Sequence, residues 1–302
     1  MITIPTVLVF GAGASHPFGF PLGVKLRNNI IRNLDPGSAV YKELRDIGFD
    51  DKDIEDFRNE FWESGKDSVD AFLEHRPSFL EIGKVAIAQE LTRYELHNEL
   101  FETQGDNLYF YLYKHLNAMP DEFQNNALTV VTYNYDRSFE HFLFTAFKRS
   151  YGLSDETTAR LLEHVPIIHL HGHLGLLPWQ GGKYLKYGKS NLSRDTQIRL
   201  ASENIRIIHE DMDIEKVSEF TRAHACTNEA NRIVFLGFGY DKINLERLRM
   251  PESQNRLAIH GSCYKLTRTE RISLNNRFFH GNATLGGEEQ DALMFLRDGL
   301  LL

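Results

Sequence analysis

The sequence VLVFGAGASHPFGFPLG, residues 7–23, decides the fold class of this chain. Apolar and β-branched residues over 6–10 run directly into Gly-Ala-Gly-Ala-Ser, which is typical of a buried strand that ends at a glycine turn. Apolar residues then recur at helical spacing over 22–34, and Asp-Pro-Gly at 35–37 ends that predicted helix. A strand, a glycine turn and a helix in this order predict an α/β fold.

The glycine turn has two interpretations. Gly11 and Gly13 would let a pyrophosphate approach the backbone closely, and the following helix would offer its N-terminal N–H groups to the anion. An ordinary tight turn is the alternative, because His16 stands at the third glycine position of the GxGxxG pattern. No acid follows a second strand about 20 residues later, where a Rossmann fold places its ribose ligand. The stretch alone leaves both interpretations open.

The composition is that of an ordinary globular protein. The chain has 302 residues, of which 42% are hydrophobic and 25% charged, and its formal net charge is −8. This charge argues against a broad nucleic-acid surface and against a polybasic membrane patch. The two cysteines, Cys226 and Cys263, are too few for a four-ligand zinc ribbon. We expect a cytoplasmic protein, because the sequence has neither a signal peptide pattern nor an apolar run of roughly 20 residues.

Strands alternate with helices after the first 120 residues. Further strands are predicted over 127–132, 165–170, 233–236, 257–259 and 282–285. This alternation predicts a Rossmann-like, mainly parallel sheet with helices on both faces.

The segment between the first two strands has helical spacing throughout. It includes a long helix predicted from Pro77 through Phe101. We therefore predict a single domain over 1–302, in which 1–40 and 120–302 form the Rossmann-like core and 41–119 form an inserted helical lobe.

Glycine or a polar cluster follows each of the first five strands. The clusters are Gly11-Ala12-Gly13, Asn134 with Asp136, His171-Gly172, Gly237-Phe238-Gly239 and His260-Gly261-Ser262. In doubly wound folds the ligand binds beyond the carboxyl ends of the strands, so we expect these residues to line one crevice. Asn134, Asp136 and Asp241 also have a structural interpretation, since each could cap the helix that follows it.

Three histidines alternate at positions 169, 171 and 173. On a strand they would point the same way, which makes a metal site conceivable, but no further acid or cysteine lies nearby and we expect no metal. His171, directly before a glycine turn, is the candidate catalytic base, with a hydrogen-bonded structural histidine as the alternative. The structural interpretation is the favoured one for His169.

The chain resembles the sirtuin family over residues 5 to about 285. The resemblance is carried by four motifs in a fixed order, which are Gly-Ala-Gly-Ala-Ser, Asn-x-Asp, His-Gly and Gly-x-Gly. Members of that family bind NAD in a Rossmann-like crevice and cleave the bond between nicotinamide and ribose. The resemblance implies that Asn134 positions a water or the ribose, that Asp136 holds the nicotinamide carboxamide and that His171 is the general base. It also implies a set of NAD-binding residues. These are Gly11, Ala12, Gly13 and Ser15 for the pyrophosphate, and Gly237, Gly239 and the turn at His260 for the adenosine half.

The chain departs from the protein deacylases of that family. They carry a zinc module with four cysteines, and their glycine loop continues as Gly-Ile-Pro-Asp-Phe-Arg, whereas residues 19–23 here read Gly-Phe-Pro-Leu-Gly. Both departures match the bacterial sirtuin-like branch of anti-phage defence. The resemblance therefore implies an NAD+ glycohydrolase that acts as the toxic effector of abortive infection. A sensor that binds NAD or ADP-ribose without turnover and a zinc-free NAD-dependent protein deacylase are the alternatives.

Such an enzyme must be inactive until it is needed. By analogy we expect a separate partner protein, for example a HerA-type ATPase, an Argonaute-like protein or a nucleotide-processing enzyme, or else a homo-oligomer. We expect no direct binding to nucleic acid or to a membrane. The crevice would be occluded by the helical lobe or by the glycine-rich segment 172–193, which we expect to be a hairpin or a mobile loop with few buried contacts.

Overall fold

The computed structural model describes residues 1–102, 107–116, 119–208, 214–250 and 257–299. Parts of the predicted helical insertion, residues 103–106 and 117–118, lie outside this set. The fold is α/β, as predicted, with one six-stranded sheet among the described residues. In the same residues, no helix has the length and the apolar character that crossing a membrane requires.

The six strands follow the order that the sequence predicts. The strands are β1 (Thr6–Phe10), β2 (Leu128–Thr132), β3 (Ile167–His169), β4 (Arg232–Leu236), β5 (Ala258–Gly261) and β6 (Ala283–Leu285). The helices are α1 (Ala12–Ser15), α2 (Gly23–Asn33), α3 (Ala39–Ile47), α4 (Asp51–Glu63), α5 (Val69–His75), α6 (Leu80–Leu91), α7 (Leu108–Leu116), α8 (Ser138–Tyr151), α9 (Asp155–Leu162), α10 (Arg194–Ser202), α11 (Ser218–Glu229), α12 (Lys242–Leu248), α13 (Arg268–Phe278) and α14 (Ala292–Gly299).

All strand pairs of the sheet are parallel, and the spatial order is β3-β2-β1-β4-β5-β6. This is the strand order typical of Rossmann folds. The central strand β1 lies between β2 and β4, with Val9 opposite both Val131 and Phe235. From β1 the chain adds β2 and β3 on one side of the sheet and then β4, β5 and β6 on the other side. The boundary between β1 and β4 is therefore the switch point of the sheet, and a ligand crevice is expected at the carboxyl ends of these two strands.

The two faces of the sheet belong to different hydrophobic cores. Side chains on one face of β1, Leu8 and Phe10, pack in a core that continues into the helical insertion. Val7 and Val9 point to the opposite face, where they pack in the core that α11 and α13 help to close. Because successive residues of a strand point to opposite faces, β1 is buried along its whole length.

The helical insertion contains only helices and turns in its described part. Its centre is α6, whose residues are buried on nearly every side. The long helix predicted from Pro77 through Phe101 is wrong, because a 3₁₀ turn precedes α6 and the helix ends at Leu91. Beyond this point Glu95 is buried against Arg137 of the core, a distant partner that helical spacing cannot reveal.

Candidate active site

The two glycine loops at the carboxyl ends of β1 and β4 touch each other through their backbones. The N–H of Gly13 donates to the carbonyl oxygen of Gly237 over 2.8 Å. A Cβ on Gly11 or on Gly13 would lie 2.7 Å from backbone atoms of the β4 loop, and Gly237 has a φ of +58°. Close packing of the two loops therefore requires these glycines, which agrees with the tight-turn interpretation. The backbone N–H groups of Gly11, Gly13 and Ala14 are already used in hydrogen bonds to backbone carbonyl oxygens.

The helix that follows the glycine turn is short. The chain makes the single turn of α1 and a 3₁₀ turn over His16–Phe18, and α2 begins only at Gly23. Ala12 and Ser15 of α1 line the small cavity at this edge of the sheet. Gly239 is exposed and has open space around it, so no close approach requires a glycine there.

Asn134 ties the β2 loop to the glycine turn of β1. Its Nδ2 donates to the carbonyl oxygen of Gly11 over 3.0 Å and to Oγ of Ser15 over 3.3 Å. A carbonyl oxygen only accepts, so these contacts fix the amide orientation, and Oδ1 is left as an acceptor with no hydrogen-bond donor among the described residues. Asn134 does not cap α8, whose N-cap position is Arg137.

Asp136 is buried beside Ser15. Its Oδ1 accepts a hydrogen bond from the backbone N–H of Ser138 over 3.1 Å and another from the Ser138 hydroxyl. Burial raises the pKa of Asp136, while hydrogen bonds from Ser138 and Ser15 oppose that rise. The structure thus joins Asn134, Ser15 and Asp136 in one network. Asp136 is not the N-cap residue of α8 either, since Arg137 occupies that position, but its carboxylate binds the first residue of the helix.

His171 lies just after β3 and is buried beneath the tyrosines of the β2 loop. Its ring centroid is 5.7 Å from that of Tyr133 and 6.3 Å from that of Tyr135. Nδ1 is buried and has no hydrogen-bond partner among the described residues. Burial lowers the pKa of His171, which keeps the ring neutral near pH 7.

Helix α5 of the insertion covers this side of the crevice, and its residues were missed by the sequence analysis. Asp70 accepts a hydrogen bond from the Tyr135 hydroxyl, and its Oδ1 lies 3.9 Å from Nδ1 of His171. Glu74, one turn further along α5, pairs with Arg247 of α12 over 2.6 Å. Both side chains of that pair are largely buried, so the insertion closes onto the Rossmann-like core. The i, i+4 spacing of the two acids places them on one face, but only the fold brings that face to the crevice.

His169 has a structural role, as expected. Its Nδ1 lies 2.9 Å from the carbonyl oxygen of Asn134, and its Nε2 lies 2.9 Å from Oε1 of Glu140. Both acceptors need an N–H, so the ring is a cation paired with a carboxylate. Burial acts to lower the pKa of His169, but the Glu140 carboxylate and these hydrogen bonds outweigh it and raise the pKa.

The alternating histidines do not assemble a metal site in the described part of the chain, where no group of three or more potential ligand side chains comes together. Burial, followed by the charge of His169, lowers the pKa of His173 to about 4.

His260 lies inside β5 rather than in the turn after it. Burial lowers its pKa, and the nearest charge acting on the ring is that of Arg232 at the start of β4. Ser262 takes the position at the strand end, where its Oγ accepts from the N–H of Gly237 over 2.9 Å. Asp241 caps α12 through the N–H of Asn244, as its structural interpretation predicted.

The part of the segment 172–193 up to Tyr187 has buried side chains and hydrogen bonds from Arg137, so the expectation of few buried contacts is wrong for that part. Arg137, fully buried, donates to the carbonyl oxygens of Gly175 and Leu185 over 3.2 and 2.7 Å. The same guanidinium bonds both carboxylate oxygens of Glu95, so its charge is matched in the interior. Three buried leucine side chains also hold the segment in place. They are Leu174, Leu177 and Leu185.

The cavity at the predicted site is small, and a larger cavity lies elsewhere. The cavity at the switch point, between α1, α5 and the β2 loop, has a volume of about 100 Å³. A larger cavity of about 570 Å³ lies beside the edge strand β3, next to the His169–Glu140 pair and His173. Small-molecule sites usually enclose about 300–1,000 Å³, so the crevice at the switch point is closed in this conformation.

No known protein-family model and no curated protein matches the sequence of this chain. The chemistry of the crevice is therefore interpreted from its own residues.

Proposed function

We propose that this protein is an NAD+ glycohydrolase with its active site at the switch point of the sheet. The observation that carries the proposal is the convergence of Asn134, Ser15 and Asp136 with a buried, neutral His171 at the carboxyl ends of adjacent parallel strands. The same residues, in the same order along the chain, carry the resemblance to sirtuins. The agreement between sequence order and spatial convergence supports NAD as the substrate.

In the proposed reaction, the bond between ribose C1′ and the nicotinamide nitrogen breaks, and its electron pair neutralises the positive ring. The oxygen of a water bonds to C1′, and the proton that the water loses goes to Nδ1 of His171. The products are nicotinamide and ADP-ribose. Nicotinamide is a good leaving group, so positioning and a neutral base supply most of what the reaction needs.

Each polar group of the network has a place in this scheme. Oδ1 of Asn134, the acceptor of its amide, would orient the water, and Asp136 would accept a hydrogen bond from the nicotinamide carboxamide. In the closed conformation without NAD, the Asp70 carboxylate lies 3.9 Å from Nδ1 of His171 and acts to raise the pKa of the ring. The backbone of the glycine turn would approach the pyrophosphate.

The closed crevice implies regulation. A dinucleotide does not fit into about 100 Å³, so α5 must withdraw before NAD can bind. An enzyme that is inactive until a partner protein or self-assembly moves α5 suits the role of a toxic effector in cytoplasmic anti-phage defence. The anchored segment 172–193 is the poorer candidate for this movement.

The test is incubation of the pure protein with NAD, followed by separation of nicotinamide from ADP-ribose, with NAD binding measured by calorimetry on the same preparation. We expect slow release of nicotinamide in equal amount to ADP-ribose. Binding without release would support the sensor instead. Release only in the presence of an acyl-lysine peptide would support the deacylase, and neither binding nor release, even after α5 is loosened by Glu74→Gln, would overturn the proposal.

A further inference from the structure

A third cavity lies beside α8, away from the switch point. Its volume is about 320 Å³, within the range of small-molecule sites, and it is formed by α8, the start of α9 and the segment 178–187. None of the residues that we assign to NAD hydrolysis lines it. The cavity is therefore separate from the proposed active site, and an inference about its ligand does not depend on the proposed function.

Two pairs of stacked rings form the walls of this α8 pocket. Phe144 and Trp179 lie with their ring centroids 4.8 Å apart and their planes at 4°. His141 and Tyr187 lie 4.3 Å apart at 9°. Flat aromatic walls of this kind bind planar rings by stacking, whatever the hydrogen-bonding pattern of the ring.

The His141 ring in the wall of the pocket is uncharged at physiological pH. Burial, followed by the charges of His97 and Arg137, lowers the pKa of His141 to about 4. Its Nε2 lies 3.0 Å from Nδ1 of His97, so one ring donates to the other and the pair is held in place. A planar ligand would thus meet a fixed, uncharged imidazole.

The mouth of the α8 pocket is basic. Lys148, Arg149 and Lys186 line it, and Asp155, which pairs with Lys148, is the one carboxylate among the described residues of its lining. Arg149 and Lys186 are exposed. The chain as a whole has a net charge of −8, so a cavity with three cations and one acid is a local exception that favours an anion.

We propose that the α8 pocket binds a nucleoside monophosphate or a ligand that contains one. The base stacks against the aromatic walls, and the phosphate bonds to Arg149 and Lys186 at the mouth. Guanidinium and ammonium groups are the usual protein partners of phosphate, and a stacked base supplies the remaining contact.

The two tryptophans of the chain make a direct test possible. Trp62 is 59% exposed on α4 and does not line the pocket, and a Trp62→Phe protein reports only on Trp179. We expect AMP to quench this fluorescence saturably, and adenosine and inorganic phosphate to bind at least about tenfold more weakly, since each lacks one half of the ligand. No saturable quenching by AMP at about 1 mM would overturn the proposal.

Two lysines of one segment provide a matched pair of variants. In the Trp62→Phe background, Lys186→Ala should weaken AMP binding at least about tenfold, the equivalent of one lost charged contact. Lys183→Ala should leave it unchanged, because Lys183 pairs with Glu203 outside the pocket. Equal effects of the two variants would overturn the phosphate assignment, and equal affinity for phosphate and AMP would overturn the assignment of the base.

Discussion

Oδ1 of Asp70 lies 3.9 Å from Nδ1 of His171, although Asp70 belongs to the helical insertion and His171 follows the edge strand β3. Tyr135 of the β2 loop donates a hydrogen bond to the same carboxylate. Three distant segments of the chain therefore meet around one imidazole nitrogen. The insertion contributes a charge to the crevice in addition to covering it.

Replacing His171 with Ala should abolish nicotinamide release while the fold remains intact. General-base catalysis contributes about 10²–10⁴-fold, so we expect a loss of at least about 100-fold in kcat. Turnover and thermal unfolding should be measured on one preparation. A kcat within about threefold of the parent, with unchanged NAD affinity, would remove His171 from the mechanism.

The rate should depend on pH through His171. Because burial lowers the pKa of this ring, the base stays deprotonated as the pH falls through 6.5, the ordinary value for histidine, and activity declines only below it. Asp70 raises the pKa of His171, so Asp70→Asn should move the acid limb of the profile to still lower pH.

The exposed Asp67, just before α5, provides the control for this shift. Asp67→Asn should leave the profile in place. An acid limb above 6.5 in the parent protein would contradict the assignment of His171 as the base.

Asn134→Ala should lose both activity and some stability. The amide donates two hydrogen bonds that hold Gly11 and Ser15, and each lost bond costs about 1 kcal/mol of unfolding free energy. The loss of Oδ1 should lower kcat separately. Normal turnover in a destabilised variant would mean that the amide only ties the two loops together.

Glu74→Gln should raise the rate of NAD hydrolysis. The variant weakens the pair with Arg247 that holds α5 over the crevice. Coupling of about 1–3 kcal/mol corresponds to about 5- to 150-fold, and the gain should fall in this range. Glu60→Gln, which breaks an exposed pair with Arg76 on the same insertion, should have no such effect. An unchanged or lower rate in Glu74→Gln would show that α5 does not gate the site.

Arg137→Met should strongly destabilise the protein. The variant leaves Glu95 buried without its cation, which costs about 3–5 kcal/mol of unfolding free energy in such pairs. Replacing both partners, Arg137→Met with Glu95→Leu, should recover much of that loss in a denaturant titration. A single variant as stable as the parent would mean that the segment 172–193 is anchored by its leucines alone.

The architecture was largely predictable from local patterns. Short apolar runs that end at glycine, such as 6–10 and 233–236, carry the strand signal, and helical spacing locates the insertion. The exact end of α6 was not predictable, because Glu95 leaves the helical path for a buried partner in another part of the chain.

The candidate site was predictable only in part. Asn134, Asp136 and His171 follow strands, and the ends of parallel strands must meet at one edge of the sheet. Asp70, Glu74 and Arg247 lie on helices that cross this edge, and nothing in their local sequence distinguishes them from exposed charges. The anchoring of 172–193 was missed for the same reason, since glycines in a sequence reveal turns but not the buried arginine that holds them.

A long stretch of chain separates β1 from both of its neighbours in the sheet, β2 and β4, which are synthesised later. Until residues 232–236 have left the ribosome, one edge of this wholly buried apolar strand has no partner. Contacts between such distant segments form slowly, and exposed strand edges favour aggregation in the meantime. A chain that ends before β4 therefore lacks the partner for one edge of β1, and we expect such a truncated chain to aggregate.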